Sequence, residues 1–264
     1  MKKTKNKSKV KKVTRETQEQ TSETNENDFV FGQHAAQEAL KKARGNKLFL
    51  LKDAGGTKID ELKALAKEHS VPVKWVPKQK LDQMSAGGVH QGVVLAITPY
   101  QYLSLEELME QSKSQPFFVL LDHIEDPHNF GSILRTADAS GIDGVIIPKH
   151  RACGITPAVV KTSTGAVEYV PVARVTNLTQ AVTKLKEKGF WIFGTDMNGT
   201  SYQNWNASGA IGLVIGNEGQ GMNTALKKQV DEMLTIPMTG HVQSLNASVA
   251  SGILMYEAFV KRNE

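Results

Sequence analysis

From Phe29 onward, apolar residues recur in two rhythms, and the switches between them predict the elements. After Phe29-Val30-Phe31-Gly32, Ala36, Ala39 and Leu40 fall at helical spacing, and Lys47 to Leu51 reads as a strand. Ile59, Leu62, Leu65 and Ala66 mark a second helix, and strands are expected around Val73 to Val76 and over Gly92 to Ile97. Such alternation predicts a small α/β domain over residues 29–98, with the polar turn Gly87 to Gly92 carrying His90, a residue open to RNA contact or simply solvated. Residues 99–115 are polar, hold a short helix from Leu105 to Met109, and read as a linker. Beyond Pro116, strands are expected at Phe117 to Leu121, Gly144 to Ile147, Tyr169 to Val172 and Phe190 to Phe193. Helices over Asn129 to Ser140, Pro157 to Gly165 and from Asn177 separate them. A final helix places Leu245, Val249, Ile253, Tyr256 and Val260 on one stripe behind Ser244, a suitable N-cap. Apolar strands divided by helices imply a parallel sheet covered on both faces over residues 116–264, with ligands beyond the carboxyl ends of its strands.

Residues 1–28 change that picture at the amino end. They pass from a lysine-rich run, Lys2 to Lys12, to an acidic and polar one, Glu16 to Asp28, with too little apolar surface to offset ordering entropy. They are expected to form a disordered basic tail, either a solvated extension or a segment whose lysines hold RNA phosphates. The formal net charge of +5 and a pI near 9.1 agree with a polyanionic partner. A single cysteine, Cys153, fits a reducing cytoplasm. No apolar run suggests a membrane span or a secretion signal.

Candidate chemistry concentrates in two late loops. Ile211 to Ile215 runs into Gly216-Asn217-Glu218-Gly219-Gln220-Gly221, and Thr235-Ile236-Pro237-Met238 runs into Gly240 and on to Ser244-Leu245-Asn246. Gly216, Gly219 and Gly221 are expected to take positive φ and leave amides facing a ligand, although a strand-to-helix turn asks for glycine as well. The first-turn amides of the last helix should face the same ligand. Neither a dinucleotide fingerprint nor a phosphate loop is present. At 100° per residue, Arg135 falls away from the stripe of Phe130, Ile133, Leu134 and Ala137, so periodicity alone reads it as solvated. Taken locally, Asn129 is an N-cap, Glu218 faces solvent, Asn246 bonds either across a site or to its own backbone, and Ile236 and Leu245 are core. Asp122, His123, Glu125, Asp126 and His128 crowd one loop, but their spacing is not a zinc signature.

Three ordered stretches carry a resemblance. Leu121-Asp122-His123 through Glu125-Asp126-Pro127-His128-Asn129-Phe130-Gly131 to Arg135-Thr136-Ala137, then Gly216 to Gly221, then Ile236-Pro237-Met238 with Ser244-Leu245-Asn246, resemble the motifs of SpoU-type RNA ribose 2′-O-methyltransferases. The resemblance implies an α/β fold whose carboxyl-terminal domain, 116–264, carries a deep trefoil knot. Ahead of it would stand a small ribosomal-protein-like RNA substrate-binding domain, 29–98. It implies S-adenosyl-L-methionine held by Gly216, Ile236, Met238 and Leu245, with Thr195 a further candidate. Arg135, Asn129, Glu218 and Asn246 would be the catalytic set, with Arg135 as a bidentate phosphate clamp and no metal required. The expected partners are RNA and a second copy of the chain, and the expected substrate is a guanosine of large-subunit ribosomal RNA. A tRNA guanosine, a resistance-type rRNA adenosine, an RNA-binding module without catalysis and a nucleotide-cofactor oxidoreductase stand as alternatives.

Overall fold

The structure is a computed structural model and describes residues 29–242 and 244–263, so the expectation of a disordered basic tail at 1–28 lies outside the described residues. The chain begins with β1 (Phe29–Phe31), α1 (Gln33–Lys41), β2 (Gly45–Leu51), α2 (Thr57–Glu68), β3 (Val73–Val76), α3 (Lys78–Met84) and β4 (Val93–Ile97). These form a four-stranded sheet of order β1-β4-β2-β3, in which β2 and β3 are parallel and the other pairs antiparallel. Val30, Leu48, Leu50, Val93 and Leu95 face a core shared with Ala36, Leu40, Ile59 and Leu62 of α1 and α2. Sequence pattern missed α3, whose buried residue is Leu81 alone, too few for a visible period. His90 is neither solvated nor free for RNA: it is buried, its Nδ1 accepts from Gly92 N at 2.9 Å, and its Nε2 meets Asp82 at 3.1 Å. The turn closes around its own histidine.

The second sheet has six strands, all parallel, in the order β10-β8-β9-β5-β6-β7. Its elements are α4 (Leu105–Gln111), β5 (Phe117–Leu121), α5 (Pro127–Ala139), β6 (Gly144–Pro148), α6 (Pro157–Thr162), β7 (Val172–Val175), α7 (Leu178–Glu187), β8 (Trp191–Ser201), β9 (Ile211–Ile215), α8 (Thr224–Lys227), β10 (Glu232–Thr235) and α9 (Ala247–Asn263). Alternate residues of β5 serve the two faces: Phe117, Val119 and Leu121 pack with α5, α6 and α9, while Phe118 and Leu120 pack with α4 and α7. The segment expected as a linker carries α4, held by a Ser104–Glu107 capping box and buried through Leu105 and Leu108. On α5, Phe130, Ile133 and Leu134 are buried, each worth roughly 1.5–3 kcal/mol by area. Helix α6 stops at Thr162, short of the expected Gly165, because Thr164 and Gly165 both take positive φ, and β7 starts later than expected because Ala166–Glu168 form a 3-10 turn that Tyr169 N and Val170 N close onto Ala166 O.

The last helix departs most from expectation. Asn246, not Ser244, caps it, its Oδ1 accepting from Ser248 N at 3.0 Å and Val249 N at 3.3 Å. The predicted stripe faces outward: Val249, Tyr256 and Val260 are 51%, 46% and 48% exposed. The buried face is Ala247, Ser251, Leu254, Met255 and Ala258. Ala247, Ser251 and Gly252 let the first turns of α9 approach α5 closely, with Leu254 and Met255 buried further along, while Val249, Tyr256 and Val260 are left on the other side.

The two sheets meet through charged and aromatic groups. Arg44 pairs with Glu168, the Tyr169 hydroxyl donates to Glu38, and Lys42 Nζ lies 4.1 Å from the centre of the Tyr169 ring.

Candidate functional site

Strand order reverses between β5 and β9, and the loops leaving those two strands are tied together there. Asp122, buried at the end of β5, accepts from Asn223 N at 2.6 Å and from His123 Nδ1 at 2.6 Å. Asn217 Nδ2 donates to His123 O at 3.2 Å, and Asn217 Oδ1 accepts from Gly219 N and Gln220 N. With Asn217 and Gly221 exchanging backbone bonds, most of the loop's amides are used inside the loop and do not face a ligand as expected.

The glycines act differently from one another. Gly221 takes φ +65°, whereas a Cβ on Gly216 would lie 2.5 Å from Gly221 C and Met222 N, so Gly216 is required by close backbone approach. Gly219 meets neither demand. Asp122 and Asn217 are organising residues that sequence reasoning did not assign. The Asn217 turn was legible, since an asparagine beside glycines commonly bonds its own backbone two residues on.

Across this loop runs a polar network. Asn129 Nδ2 donates to Glu218 Oε1 at 2.5 Å, and Asn246 Nδ2 donates to Asn129 Oδ1 at 2.8 Å. Glu218 Oε1 also accepts from Ala247 N at 3.2 Å, which sets a carboxylate at the positive end of α9. Asn129 is therefore not an N-cap: Asp126 caps α5, accepting from His128 N at 2.9 Å, with Pro127 in the first turn. Glu218 does not simply face solvent, and Asn246 does both things proposed for it. The first-turn amides of α9 are occupied by Asn246 and Glu218. Asp122 and Asp126 being so engaged, no group of three His, Cys, Asp or Glu among the described residues is arranged to hold a metal.

Beside the network lies a cavity of about 560 Å³, whose lining includes Thr195, Gly216, Ile236, Met238 and Leu245, the five positions expected around a methyl donor. Glu218 and Ala247 belong both to its wall and to the network. One wall comes from an irregularity in β8. Pairing with β10 jumps from Gly194 opposite Met233 to Thr200 opposite Leu234, so residues 195–199 leave the ladder and bring Thr195, Asp196 and Met197 to the cavity. Asp196 pairs with Lys227, and that bond holds its carboxyl below the usual range. The lining joins apolar groups (Leu234, Ile236, Leu245) to hydroxyl and carboxylate groups (Thr195, Asp196), which suits a molecule with a flat apolar ring and polar sugar and amino-acid parts.

Arg135 is not brought to this cavity within one chain. It lies six residues beyond Asn129 on α5, about 9 Å along the axis and roughly 120° around it. It is exposed and makes no side-chain hydrogen bond or ion pair among the described residues.

Two family models match the chain. The SpoU rRNA Methylase family covers residues 116–256, and RNA 2′-O ribose methyltransferase substrate binding covers residues 29–103. A Bacillus subtilis protein, YacO, described provisionally as a TrmH family tRNA/rRNA methyltransferase, is 46% identical over 243 residues, spanning 90% of this chain and 97% of its own. The AdoMet-bound rRNA methyltransferase of Sinorhizobium meliloti superposes with TM-score 0.74 at 25% identity over 87% of this chain and 85% of its own. The TrmH/SpoU tRNA modifying enzyme of A. aeolicus is 31% identical with TM-score 0.52, covering 60% of this chain and 81% of its own.

Proposed function

The chain belongs to the SpoU rRNA methylase family, and from that premise we propose that it methylates a ribose 2′-hydroxyl of RNA, on a guanosine of large-subunit (23S) ribosomal RNA. S-adenosyl-L-methionine supplies the electrophilic methyl group. The observation that carries the reading is the single cavity holding Thr195, Gly216, Ile236, Met238 and Leu245, joined through Glu218 to the Asn129–Asn246 network. Backbone at Gly216 and Met238 and the Ile236 and Leu245 side chains would grip the donor. Asn129, Glu218 and Asn246 hold the cavity rim in one geometry, so that the attacking oxygen meets a fixed target.

Arg135 has a separate task. Its guanidinium offers a planar fork of donors and no acceptor, so it serves as a clamp on the phosphate beside the target ribose. Reaching the cavity asks for a second chain. The outward stripe of Val249, Tyr256 and Val260 on α9 supports a homodimer, and α9 crosses α5 beside Arg135: a Cβ on Gly252 would lie 3.8 Å from Thr136 Cγ2. We assign Arg135 to that shared interface. The trefoil passage belongs to the same reading, its support being that the chain leaves β10 at the sheet edge and returns to pack α9 on α5.

The ribosomal substrate is favoured because the rRNA methyltransferase covers both sheets of this chain, whereas the tRNA enzyme covers 60% of it. A free Cys153 agrees with a cytoplasmic site, and no helix among the described residues is long and apolar enough to cross a membrane. Incubation with labelled methyl donor, separation of rRNA from tRNA and mapping of the labelled ribose tests the reading. Label in tRNA alone removes the ribosomal assignment, and label in neither RNA removes catalysis.

A further inference from the structure

The small sheet turns one face away from α1 and α2. Strand register puts Phe29 opposite Ala96, and Phe31 and Phe49 both opposite Val94, so three rings share that face. Helix α3 covers part of it, Leu81 packing against Val76 and Val94, and the three rings lie partly buried around that cluster. Between this face and the start of α6 runs a groove of about 520 Å³, lined by Phe29, Phe31, Lys80 and Met84 on one side and by Thr156 and Pro157 on the other. Among the described residues no carboxylate lines it. Lys161 Nζ stands 5.4 Å from the centre of the Phe31 ring and Lys47 Nζ 5.7 Å from that of Phe49. Among the described residues Lys47, Lys80 and Lys161 make no ion pair.

We propose that this groove holds an unpaired stretch of the RNA substrate flanking the target nucleotide, a base stacking on Phe29 or Phe31 and its phosphates lying on Lys80 and Lys161. This rests on the RNA-methylating reading above. Partly exposed rings beside ammonium groups that make no ion pair meet both demands of single-stranded RNA, a stacking surface and a cationic track. An acidic peptide would use the lysines but leave the rings without a partner. Placement supports the assignment, because α6 leads from the groove to the candidate site. Thr162 at its end lies against Gly131 of α5, and its Oγ1 is 3.4 Å from His128 Nδ1, next to Asn129. A strand leaving the groove along α6 therefore arrives at the Asn129 network.

The test uses the full chain, a fluorescein-labelled (rA)12 oligonucleotide read by anisotropy across a salt series, and an RNA duplex of the same length. Lys80→Gln with Lys161→Gln alters two exposed side chains and should lower the salt slope by about 1.4, at roughly 0.7 per phosphate contact on single strands. Phe29→Leu with Phe31→Leu should weaken (rA)12 by about tenfold, within the range for one lost base stack. Calorimetry with S-adenosylmethionine should give wild-type affinity for both variants, and an unchanged unfolding midpoint shows the small sheet folded as well. Unchanged slope and affinity in the lysine variant would overturn the proposal even if the ring variant proved unstable. So would equal losses on the duplex, polyglutamate binding as tight as (rA)12, or a Phe31-dependent change in sedimentation, which would give the groove to a second copy. If the wild-type chain methylates no RNA, the parent reading fails instead, and that outcome is scored independently of the anisotropy.

Discussion

Glu218 is the joint between the cavity and the polar network, and its removal has a size that follows from its partners. It accepts from Asn129 Nδ2 at 2.5 Å, from Ala247 N at 3.2 Å and, weakly, from Asn246 Nδ2 at 3.5 Å. A hydrogen bond to a charged group contributes about 1.5–3 kcal/mol, and partial exposure lets water replace part of it, so Glu218→Ala should cost about 2 kcal/mol in all. For a chain of this size that lowers Tm by about 4–8 °C. Glu218→Gln keeps an acceptor for Asn129 and Ala247 and loses only charge at the head of α9, about 0.5–1 kcal/mol. Because Ala247 and Leu245 line the cavity, loosening their anchor should also weaken S-adenosylmethionine by about tenfold in the alanine variant, near 1.4 kcal/mol by calorimetry. The shared bond further requires that Asn129→Ala and Glu218→Ala be non-additive, with a coupling of about 1 kcal/mol in a double-mutant cycle. Additive costs, or a glutamine variant as damaged as the alanine one, would refute the reasoning.

Three further outcomes are expected. Gly216→Ala forces a methyl against Gly221 and Met222 backbone, which no rotamer relieves; we expect a loss of about 1–3 kcal/mol in denaturant unfolding and of donor binding by calorimetry. Arg135→Lys should leave donor affinity unchanged and lower methyl transfer at least tenfold, since an ammonium cannot fork onto a phosphate; near-normal turnover argues against the clamp. Burial raises the Glu168 carboxyl and Arg44 pulls it back down, so Arg44→Ala should cost about 3 kcal/mol at neutral pH. A raised carboxyl favours the fold below the ordinary glutamate range and loses that contribution as pH rises through its folded value. The Arg44→Ala penalty should therefore shrink as pH falls through the raised folded value of Glu168, above the ordinary glutamate range, and a penalty constant with pH would exclude Glu168 as its source.

The parallel sheet was legible because β5, β6 and β9 are unbroken apolar runs, buried on both faces as their composition requires. The loop after β9 was legible for the same reason, whereas the loop after β10 was legible only through Ile236-Pro237-Met238 and Gly240, since β10 itself buries Leu234 alone. The Thr195–Gly199 excursion was not, because a departure from the ladder is set by the partner strand: Gly199 meets Met233 O at 2.4 Å from its would-be Cβ, a constraint carried by residues far away in sequence. Asn129 was misplaced because its partner Glu218 is brought to it from a distant loop, and His90 because α3, which carries its near partner Asp82, was itself not legible.

Helix α9 shows why a hydrophobic period marks a face without naming what covers it. Its bulky stripe satisfied every sequence criterion for a core-facing surface, yet the core takes the face with Leu254 and Met255 and, where α9 nears the network, Ala247 and Ser251. Close approach to α5 explains the choice. Small side chains bring the α9 backbone near enough for Asn246 to reach Asn129 and for Ala247 N to reach Glu218, and bulkier residues there would hold the network apart. The same rotation leaves Val249, Tyr256 and Val260 uncovered, at a cost that a second chain would offset. One helix thus links donor wall, polar network and outward stripe, so a change such as Tyr256→Glu should first alter sedimentation at micromolar concentration and only through that lower methyl transfer. If the variant sediments as wild type and still loses transfer, the stripe acts on the site within one chain, and the two-chain placement of Arg135 fails.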